Sequence, residues 1–251
     1  MKYLLSLIFP IALLISCQKE DRAFETANKL ISFSPNFSQT DTRATDDYSL
    51  SDYFNACPTA TVRMIIGNEV KTAKYIYKAE TKTLEYADRI PLYYPEDNSP
   101  YQLIISWPDE TLLEEVNDYQ NQDNKESFFR SDLLSDTINN AVAVDYLPVF
   151  FKHLRSKITF ILSEQWETYT INELTVNGRK SFHDITNPNV GKNTYQMIYD
   201  LWVEEENSKG LIVAINKEGD KRIEHPFLFD VSDLKVGENR KIFIPFLYEF
   251  E

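Results

Sequence analysis

The feature that most constrains the fold of this chain is a period-two alternation of apolar and polar side chains. One face of residues 153–162 carries Leu154, Ile158, Phe160 and Leu162. The opposite face is polar, and similar runs occur at 61–66, 74–79, 83–86, 169–176, 211–215 and 226–231. Turns are predicted between several of them, at 67–68, 95–98, 177–178 and 218–220. Such alternation is typical of strands in a sheet with one buried and one solvated face. We therefore predict an all-β chain of antiparallel sheets packed as a sandwich.

Length and composition determine how large a core this chain can build. Of its 251 residues, 43% are hydrophobic and 14% are aromatic. This is enough for one large β domain or two smaller ones. The best break lies near 163–165, where one alternating run ends and another soon begins. One short helix is predicted over 109–119, because Leu112, Val116 and Tyr119 have helical spacing after Pro108.

The N-terminus carries an apolar run that stops at a cysteine. The run over 3–15 is interrupted by Pro10 and is shorter than the ~20 residues that cross a bilayer. A charged start and a short apolar centre are typical of a secretory signal peptide. The ending 14–17 resembles the lipobox of bacterial lipoproteins, which predicts a signal peptide at 1–16 and lipidation of Cys17. An ordinary cleaved signal with an incidental cysteine is the alternative.

A charged segment follows the cysteine, and residues 17–29 are predicted to form a lipidated tether. Residues 18–21 read Gln-Lys-Glu-Asp. In some Gram-negative lineages an acidic cluster at this place marks a lipoprotein for export to the outer face of the outer membrane, and this cluster resembles one. A solvated tether that needs no receptor is the alternative. The expected localisation is the cell outer membrane, with a lipid anchor and surface exposure.

The net charge limits the partners. It is −13 at pH 7, which repels phosphate backbones and anionic headgroups, so nucleic acid is not an expected partner. The lipid, rather than electrostatic attraction, would hold the protein at the membrane. Glycine is scarce at 6 residues, and no phosphate-binding glycine motif occurs in the sequence. We expect no cofactor.

Few residues are candidates for chemistry. Cys57 has no cysteine partner if Cys17 is lipidated, and a buried core thiol is the favoured interpretation. His153, His183 and His225 lie far apart in sequence, and for His153 a structural hydrogen bond to the backbone is favoured over catalysis. No nucleophile-elbow, zinc-protease or EF-hand motif occurs. We predict no enzymatic activity, no catalytic residues and no metal site.

The two ends of the folded part are predicted to be strands. A short strand is expected at 28–34, and the polar segment 39–47 after it is expected to be an exposed, protease-accessible linker. The apolar face of the C-terminal segment carries Ile242, Ile244, Phe246, Tyr248 and Phe250. Pro245 cannot donate a ladder hydrogen bond, so this strand should lie at a sheet edge or leave the domain.

Several short motifs occur together in this chain. They are the lipobox, Thr-Arg-Ala-Thr at 42–45, Ser-Asp-Leu-Leu at 131–134, the strand 150–158, and Leu-Lys-Val-Gly-Glu-Asn at 234–239 before a terminal strand. Together they resemble the fimbrillin family, the type V pilus subunits and related lipoproteins of Gram-negative gut and oral anaerobes. The resemblance implies two tandem transthyretin-like β-sandwich domains, at 30–163 and 164–251.

The resemblance also implies a mode of assembly. A protease would cut between Arg43 and Ala44, and the strand lost would hold Leu30, Ile31 and Phe33. The resulting slot would accept a donor strand from another subunit, formed by Ile242, Ile244, Phe246, Tyr248 and Phe250. The implied partners are other pilus subunits, and the processed protein would be found in the fimbrium.

Two alternatives remain open. An uncleaved protein would stay lipidated as an anchor, or would serve as an accessory or tip subunit. A monomeric surface lipoprotein would instead bind host or bacterial surface glycans or proteins, with Trp107, Trp166 and Trp202 as candidates for glycan contact. Core packing is the favoured interpretation of these tryptophans.

Overall fold

The computed structural model describes residues 29–39, 43, 47–96, 99–109, 121–199, 207–219 and 221–246. Cys17, Ala44, Tyr248 and Phe250 lie outside these residues, as does the predicted helix over 109–119 apart from Asp109. Strands predominate in the described ranges, which confirms the prediction of an all-β chain. No helix within these ranges is long and apolar enough to cross a membrane.

The first sheet closes on itself as a barrel of seven strands, in the order β1-β4-β3-β2-β5-β6-β7. Its strands are β1 (Phe33–Phe37), β2 (Thr59–Ile66), β3 (Glu69–Lys78), β4 (Thr83–Tyr86), β5 (Tyr101–Trp107), β6 (Leu134–Asn139) and β7 (Leu147–His153). Its neighbouring strands are antiparallel except β1 and β7, which are parallel. This pair departs from the predicted antiparallel arrangement, because alternation shows which face is buried and not which way a neighbour runs.

The remaining strands form two further sheets. The four-stranded sheet has the order β10 (Arg179–Lys180), β9 (Tyr169–Val176), β12 (Asn207–Asn216) and β13 (Arg222–Asp230). The three-stranded sheet has the order β11 (Thr194–Tyr199), β8 (Ser156–Leu162) and β14 (Asn239–Ile244). β14 runs parallel to β8, which again differs from the antiparallel prediction. Side chains of both sheets pack into one hydrophobic cluster, so the two sheets are the layers of a sandwich.

The sheets change between β7 and β8. β8 lies before the predicted break at 163–165, yet it pairs with β11 and β14, which lie after it. The chain therefore leaves the barrel at 154–155. The sequence marks this bend only by a shift in the phase of the alternation, from odd-numbered apolar positions in β7 to even-numbered ones in β8, because no glycine or proline lies between the two strands.

Two predicted turns contain glycines that the backbone requires. Gly67 lies between β2 and β3 with φ of +57°, and Gly178 lies between β9 and β10 with φ of +80°. Glycine adopts positive φ without the steric cost that a side chain brings. The turn predictions at 67–68 and 177–178 are therefore confirmed.

Two short α-helices, α1 (Leu50–Ala56) and α2 (Lys125–Arg130), pack aromatic side chains into the barrel cluster. α1 buries Tyr53 and Phe54, while α2 buries Phe128 and Phe129. A 3-10 helix, Glu164–Thr168, follows β8. Neither α-helix is expected from the sequence, because each is too short to show a helical period.

The N-cap of α2 provides a first test of local stability. The Asn124 side chain accepts a hydrogen bond from the Ser127 N–H at 2.9 Å. Asn124→Ala should lower the free energy of unfolding by about 1 kcal/mol, since the cap is lost. Urea denaturation measures this, with Glu80→Ala in the exposed turn after β3 as a control that should change it by less than about 0.5 kcal/mol. Equal stability of the two variants would contradict the capping role.

Candidate functional site

β1 fills a slot in the barrel wall between β4 and β7. Residues Phe33–Phe37 lie opposite Leu147–Phe151 of β7, whereas β4 is reached only where Phe33 faces Leu84. Phe33 is fully buried, and its ring packs edge-on to Tyr75 with centroids 5.0 Å apart. Closure of the barrel therefore depends on this one short strand.

The residues before β1 are also bound into the barrel. The Ile31 N–H donates to the Leu92 carbonyl at 3.0 Å, and the Ile31 carbonyl accepts from the Tyr75 hydroxyl at 2.9 Å. Leu30 differs, since it forms an isolated bridge with Tyr93 and its side chain is exposed. Of the three residues predicted for the lost strand, Ile31 and Phe33 are core residues and Leu30 is not.

Arg43, the residue predicted to precede the cut, lies in a buried polar network. Its Nη2 is 3.0 Å from Asp132 Oδ2 and donates to the Tyr53 hydroxyl at 3.1 Å. Its Nη1 donates to the Arg155 carbonyl at 3.2 Å. His153 Nδ1 lies 2.7 Å from the same oxygen of Asp132. The side chains of Arg43, Asp132 and His153 are 0% exposed, so no substrate reaches them in this structure.

This burial corrects the expectation that 39–47 is an exposed linker at Arg43. The guanidinium is buried because a carboxylate, a hydroxyl and a backbone carbonyl accept its hydrogen bonds. An arginine-specific protease needs this side chain in its own pocket, so Arg43 must first leave the network. Cleavage between Arg43 and Ala44 stays a prediction.

The charges within the network stabilise one another. Burial alone would raise the pKa of Asp132, but the charges of Arg43 and His153 outweigh it and hold the pKa below its usual range. Burial raises the pKa of the Tyr53 hydroxyl well above its usual value. Asp132 is therefore the anion that neutralises Arg43 inside the fold. The network also touches β1, because the Phe37 ring stacks on His153 with centroids 5.1 Å apart.

Lys157 is a second buried basic side chain in this region, and it is 0% exposed. Its Nζ lies 3.5 Å from Asp47 Oδ2 and 5.7 Å from the centroid of the Tyr48 ring. Burial, together with the charges of Arg43 and Lys241, lowers the pKa of Lys157 to about 6. Burial and the neighbouring positive charges thus favour the neutral form of the amine in the folded chain.

Three motifs of the family resemblance meet in this region. Arg43 comes from 42–45, Asp132 from 131–134, and His153 from 150–158. The sequence singles out each motif but does not show that they converge. The only sequence signal for this convergence is that each of the three motifs contains one residue, Arg43, Asp132 or His153, that could join such a network.

The predicted donor segment is bound within its own chain up to Phe246. β14 pairs with β8 at the edge of the three-stranded sheet, in agreement with the edge position predicted from Pro245. Ile242 and Ile244 face the core, and the Phe246 ring lies 4.8 Å from the Trp166 ring. Tyr248 and Phe250 lie outside the described residues.

An apolar cavity of 630 Å³ opens between β13 and β14, the end strands of the two facing sheets. Residues 225–228 and 242–245 form its walls, and Lys209 and Gly210 of β12 also line it. The Phe227 ring packs directly on Gly210, where a Cβ would lie 1.9 Å from the ring Cζ. Only glycine at 210 allows this position of the ring.

Two of the three candidate glycan-binding tryptophans are core residues. Trp107 and Trp166 are 0% and 1% exposed, so neither offers a ring face to a sugar. Trp202 lies outside the described residues. The Trp107 Nε1 donates to the Cys57 carbonyl at 2.7 Å, and Cys57 is a buried free thiol as predicted.

The three histidines have separate surroundings. The sequence predicts a hydrogen bond from His153 to the backbone. In the structure the His153 ring instead bonds to the Asp132 carboxylate. His183 Nε2 is 2.8 Å from the Lys192 carbonyl, and the His225 ring lies 5.2 Å from the Trp166 ring. Among the residues that the structure describes, no group of three or more His, Cys, Asp or Glu side chains is placed to hold a metal ion.

Comparison with known proteins finds similarity only among solved structures. No family model and no curated protein matches the chain. A candidate cell adhesion protein from Bacteroides uniformis is 12% identical, with 86% of this chain and 94% of that chain covered and a TM-score of 0.48. Another from Bacteroides ovatus is 10% identical, with coverages of 87% and 92% and a TM-score of 0.49.

The tip fimbrial protein Mfa3 from Porphyromonas gingivalis, with a C-terminal truncation, is 8% identical. The alignment covers 79% of this chain and 80% of that chain, with a TM-score of 0.36. The first two proteins are described as cell adhesion proteins and the third as a tip fimbrial protein.

Proposed function

We propose that this chain is a fimbrillin-like surface protein that is anchored in the outer membrane by lipid on Cys17 and joins other fibre subunits by exchange of β-strands. The observation that carries the proposal is the placement of β1 between β4 and β7. Removal of β1 would expose backbone donors and acceptors on both neighbours and an apolar slot between them. The role is structural and involves no reaction.

A strand that fits the slot gains stabilising burial and backbone hydrogen bonds. Burial of a large apolar side chain such as Ile31 or Phe33 contributes about 1.5–3 kcal/mol, and pairing along β7 satisfies the backbone. A strand from another subunit would restore this burial and backbone pairing, but it would lose translational and conformational freedom. Tight assembly therefore requires an incoming strand that matches the shape left by β1.

The proposed donor is the C-terminal segment 242–250. Because Ile242, Ile244 and Phe246 already pack in their own chain, donation would first require the segment to leave β8 and the sandwich cluster. The contacts that it gains between β4 and β7 of another subunit must outweigh this loss and the cost of association.

Limited proteolysis with an arginine-specific protease tests the proposal. The expected product begins at Ala44, and light scattering should then show assemblies of many subunits. The same chain ending at residue 239 should be cut but stay monomeric, with circular dichroism used to confirm that it remains folded. Phe246→Ser in the full chain is a milder variant that should reduce assembly.

Two outcomes would contradict the proposal. A cut chain that stays monomeric at every protein concentration would remove strand exchange and favour the monomeric glycan-binding alternative. Assembly that proceeds equally well without residues 240–251 would show that the donor is not the C-terminal segment.

A further inference from the structure

Three neighbouring segments near the start of β1 expose large apolar side chains on the outside of the barrel. In the first two segments, Leu30 lies opposite Tyr93 in an antiparallel bridge, where paired side chains share one face. Both side chains are exposed, while the residues that follow them, Ile31 and Tyr94, are buried. Each of these two segments therefore turns one apolar side chain inward and one outward.

The third segment, 141–146, alternates in the same way. Its two alanines pack against the barrel cluster, and its even-numbered side chains, Val142, Val144 and Tyr146, are exposed. The Val144 N–H donates to the Tyr94 hydroxyl at 3.5 Å, and the Tyr94 N–H donates to the Lys29 carbonyl at 3.1 Å. These hydrogen bonds join the three segments. We call their exposed apolar residues the entry face, and they are Leu30, Tyr93, Val142, Val144 and Tyr146.

The entry face carries almost no net charge. Within segments 29–31, 92–95 and 140–146 the charged residues are Lys29 and Asp145, and their side chains form an ion pair at 2.7 Å. The whole chain, in contrast, has a net charge of −13. This part of the barrel can therefore approach a lipid surface with less electrostatic repulsion than the rest of the protein.

The chain leads from the entry face to the proposed lipid anchor. Lys29 is the first described residue, and Cys17 lies 12 residues before it. An extended tether of this length spans at most about 40 Å, because each residue contributes about 3.3–3.6 Å. A surface held this close to the bilayer meets it at a high effective concentration, so a weak affinity is enough to orient the protein.

We propose that the entry face is a membrane-contact site, which lies against the boundary between headgroups and acyl chains in the bilayer that holds the lipid on Cys17. This inference rests on the proposed function, because it requires that anchor. Tyrosine rings suit this boundary, since each has an apolar body and a polar tip. The valines and the leucine supply apolar surface that enters the acyl layer.

The contact does not involve the residue that precedes the predicted cut. β1 runs from Phe33, near the entry face, to Phe37, which stacks on His153 of the buried polar network that holds Arg43. Contact with the bilayer therefore leaves the Arg43 end of β1 outside the membrane. Cleavage after Arg43 and loss of β1 would remove the tether together with Leu30, so the anchor and part of the contact would end together.

Fluorescence quenching by brominated lipid tests the proposal. The chain from Cys17 onward is coupled through the Cys17 thiol to a maleimide lipid in phosphatidylcholine vesicles, while the buried Cys57 stays unmodified. The reporter variant is Tyr146→Trp. The matched control is Phe243→Trp, because Phe243 is also an exposed aromatic residue but lies on β14 in the other sheet system. After correction for the unsubstituted chain, quenching should be at least about fivefold stronger for the reporter, whose ring reaches the acyl boundary.

A second pair of variants tests whether the face itself makes the contact. Tyr93→Asp/Val142→Asp, added to the reporter, should lower its quenching to that of the control. Phe243→Asp, added to the reporter, should leave its quenching unchanged. The proposal is overturned if the reporter and the control are quenched equally, or if the reporter is still quenched in the Tyr93→Asp/Val142→Asp background.

Light scattering of the uncoupled chain tests for a different occupant. A dimer that Tyr93→Asp/Val142→Asp dissociates would overturn the proposal, because a second copy would then cover the entry face. The coupling to vesicles is chemical, so this test does not depend on lipidation in cells. A cellular protein whose mass shows no lipid on Cys17 would contradict the proposed anchor, whereas the vesicle experiment would still report on the entry face.

Discussion

Asp132→Asn should make the chain at least about 100-fold more sensitive to cleavage after Arg43. The substitution keeps the shape of the side chain but leaves the Arg43 guanidinium buried without its anion. Removing one partner of a buried ion pair costs about 3–5 kcal/mol. When local opening is fast compared with cleavage, the rate follows the population of the open state, and each 1.4 kcal/mol is about tenfold. The measurement is the rate at which the Ala44 N-terminus appears.

A matched control separates release of Arg43 from general loss of stability. Leu174→Ala removes a buried side chain from the sandwich cluster and should cost about 2–5 kcal/mol. If the Arg43 site is specifically guarded by Asp132, this variant should not show the same selective cleavage after Arg43. Equal rates in the two variants, at equal measured stability, would show that only global unfolding exposes the bond.

The buried polar network around Asp132 connects β1 to Arg43. Phe37 at the end of β1 stacks on His153, and His153 and Arg43 share the carboxylate of Asp132. A cut after Arg43 would therefore not by itself free β1, since the guanidinium stays on the β1 side of the broken bond. Departure of the strand would require the ion pair to break as well. Processing and strand release are thus two separate steps with separate costs.

The strands could be predicted from the sequence because burial of one face leaves a period-two trace in each segment. The runs at 61–66, 169–176 and 211–215 fall within β2, β9 and β12. The closure of the barrel could not be predicted, because the parallel pairing of β1 with β7 joins distant segments and has no local signature. The division of the sandwich into a four-stranded and a three-stranded sheet could not be predicted either, because it depends on which distant strands pair with one another.

The site was only partly predictable for a similar reason. The residues around Arg43 are polar, which predicts that this segment is exposed. The prediction fails because Asp132, from a distant motif, pairs with the buried guanidinium. Pro245 did indicate an edge strand, because a missing N–H is a local property. Features that depend on one residue were visible, whereas features that depend on a distant pair were not.

The stability of the chain should rise with pH through a contribution from Lys157. Its pKa is about 6 when folded, against about 10.5 for an exposed lysine. Between these values the unfolded chain binds a proton that the folded chain does not, so the free energy of unfolding increases by up to about 1.4 kcal/mol per pH unit. Below about pH 6 both states are protonated and the contribution to the slope disappears.

Lys157→Met should remove this part of the pH dependence while it keeps the aliphatic stem in the core. Urea denaturation at pH 6, 7 and 8 is expected to show that the difference in unfolding free energy between wild type and variant changes by about 2 kcal/mol across the range. Lys71→Met on exposed β3 is the control and should keep the wild-type slope. Parallel curves for wild type and Lys157→Met would mean that Asp47, 3.5 Å from the amine, holds Lys157 charged in the fold.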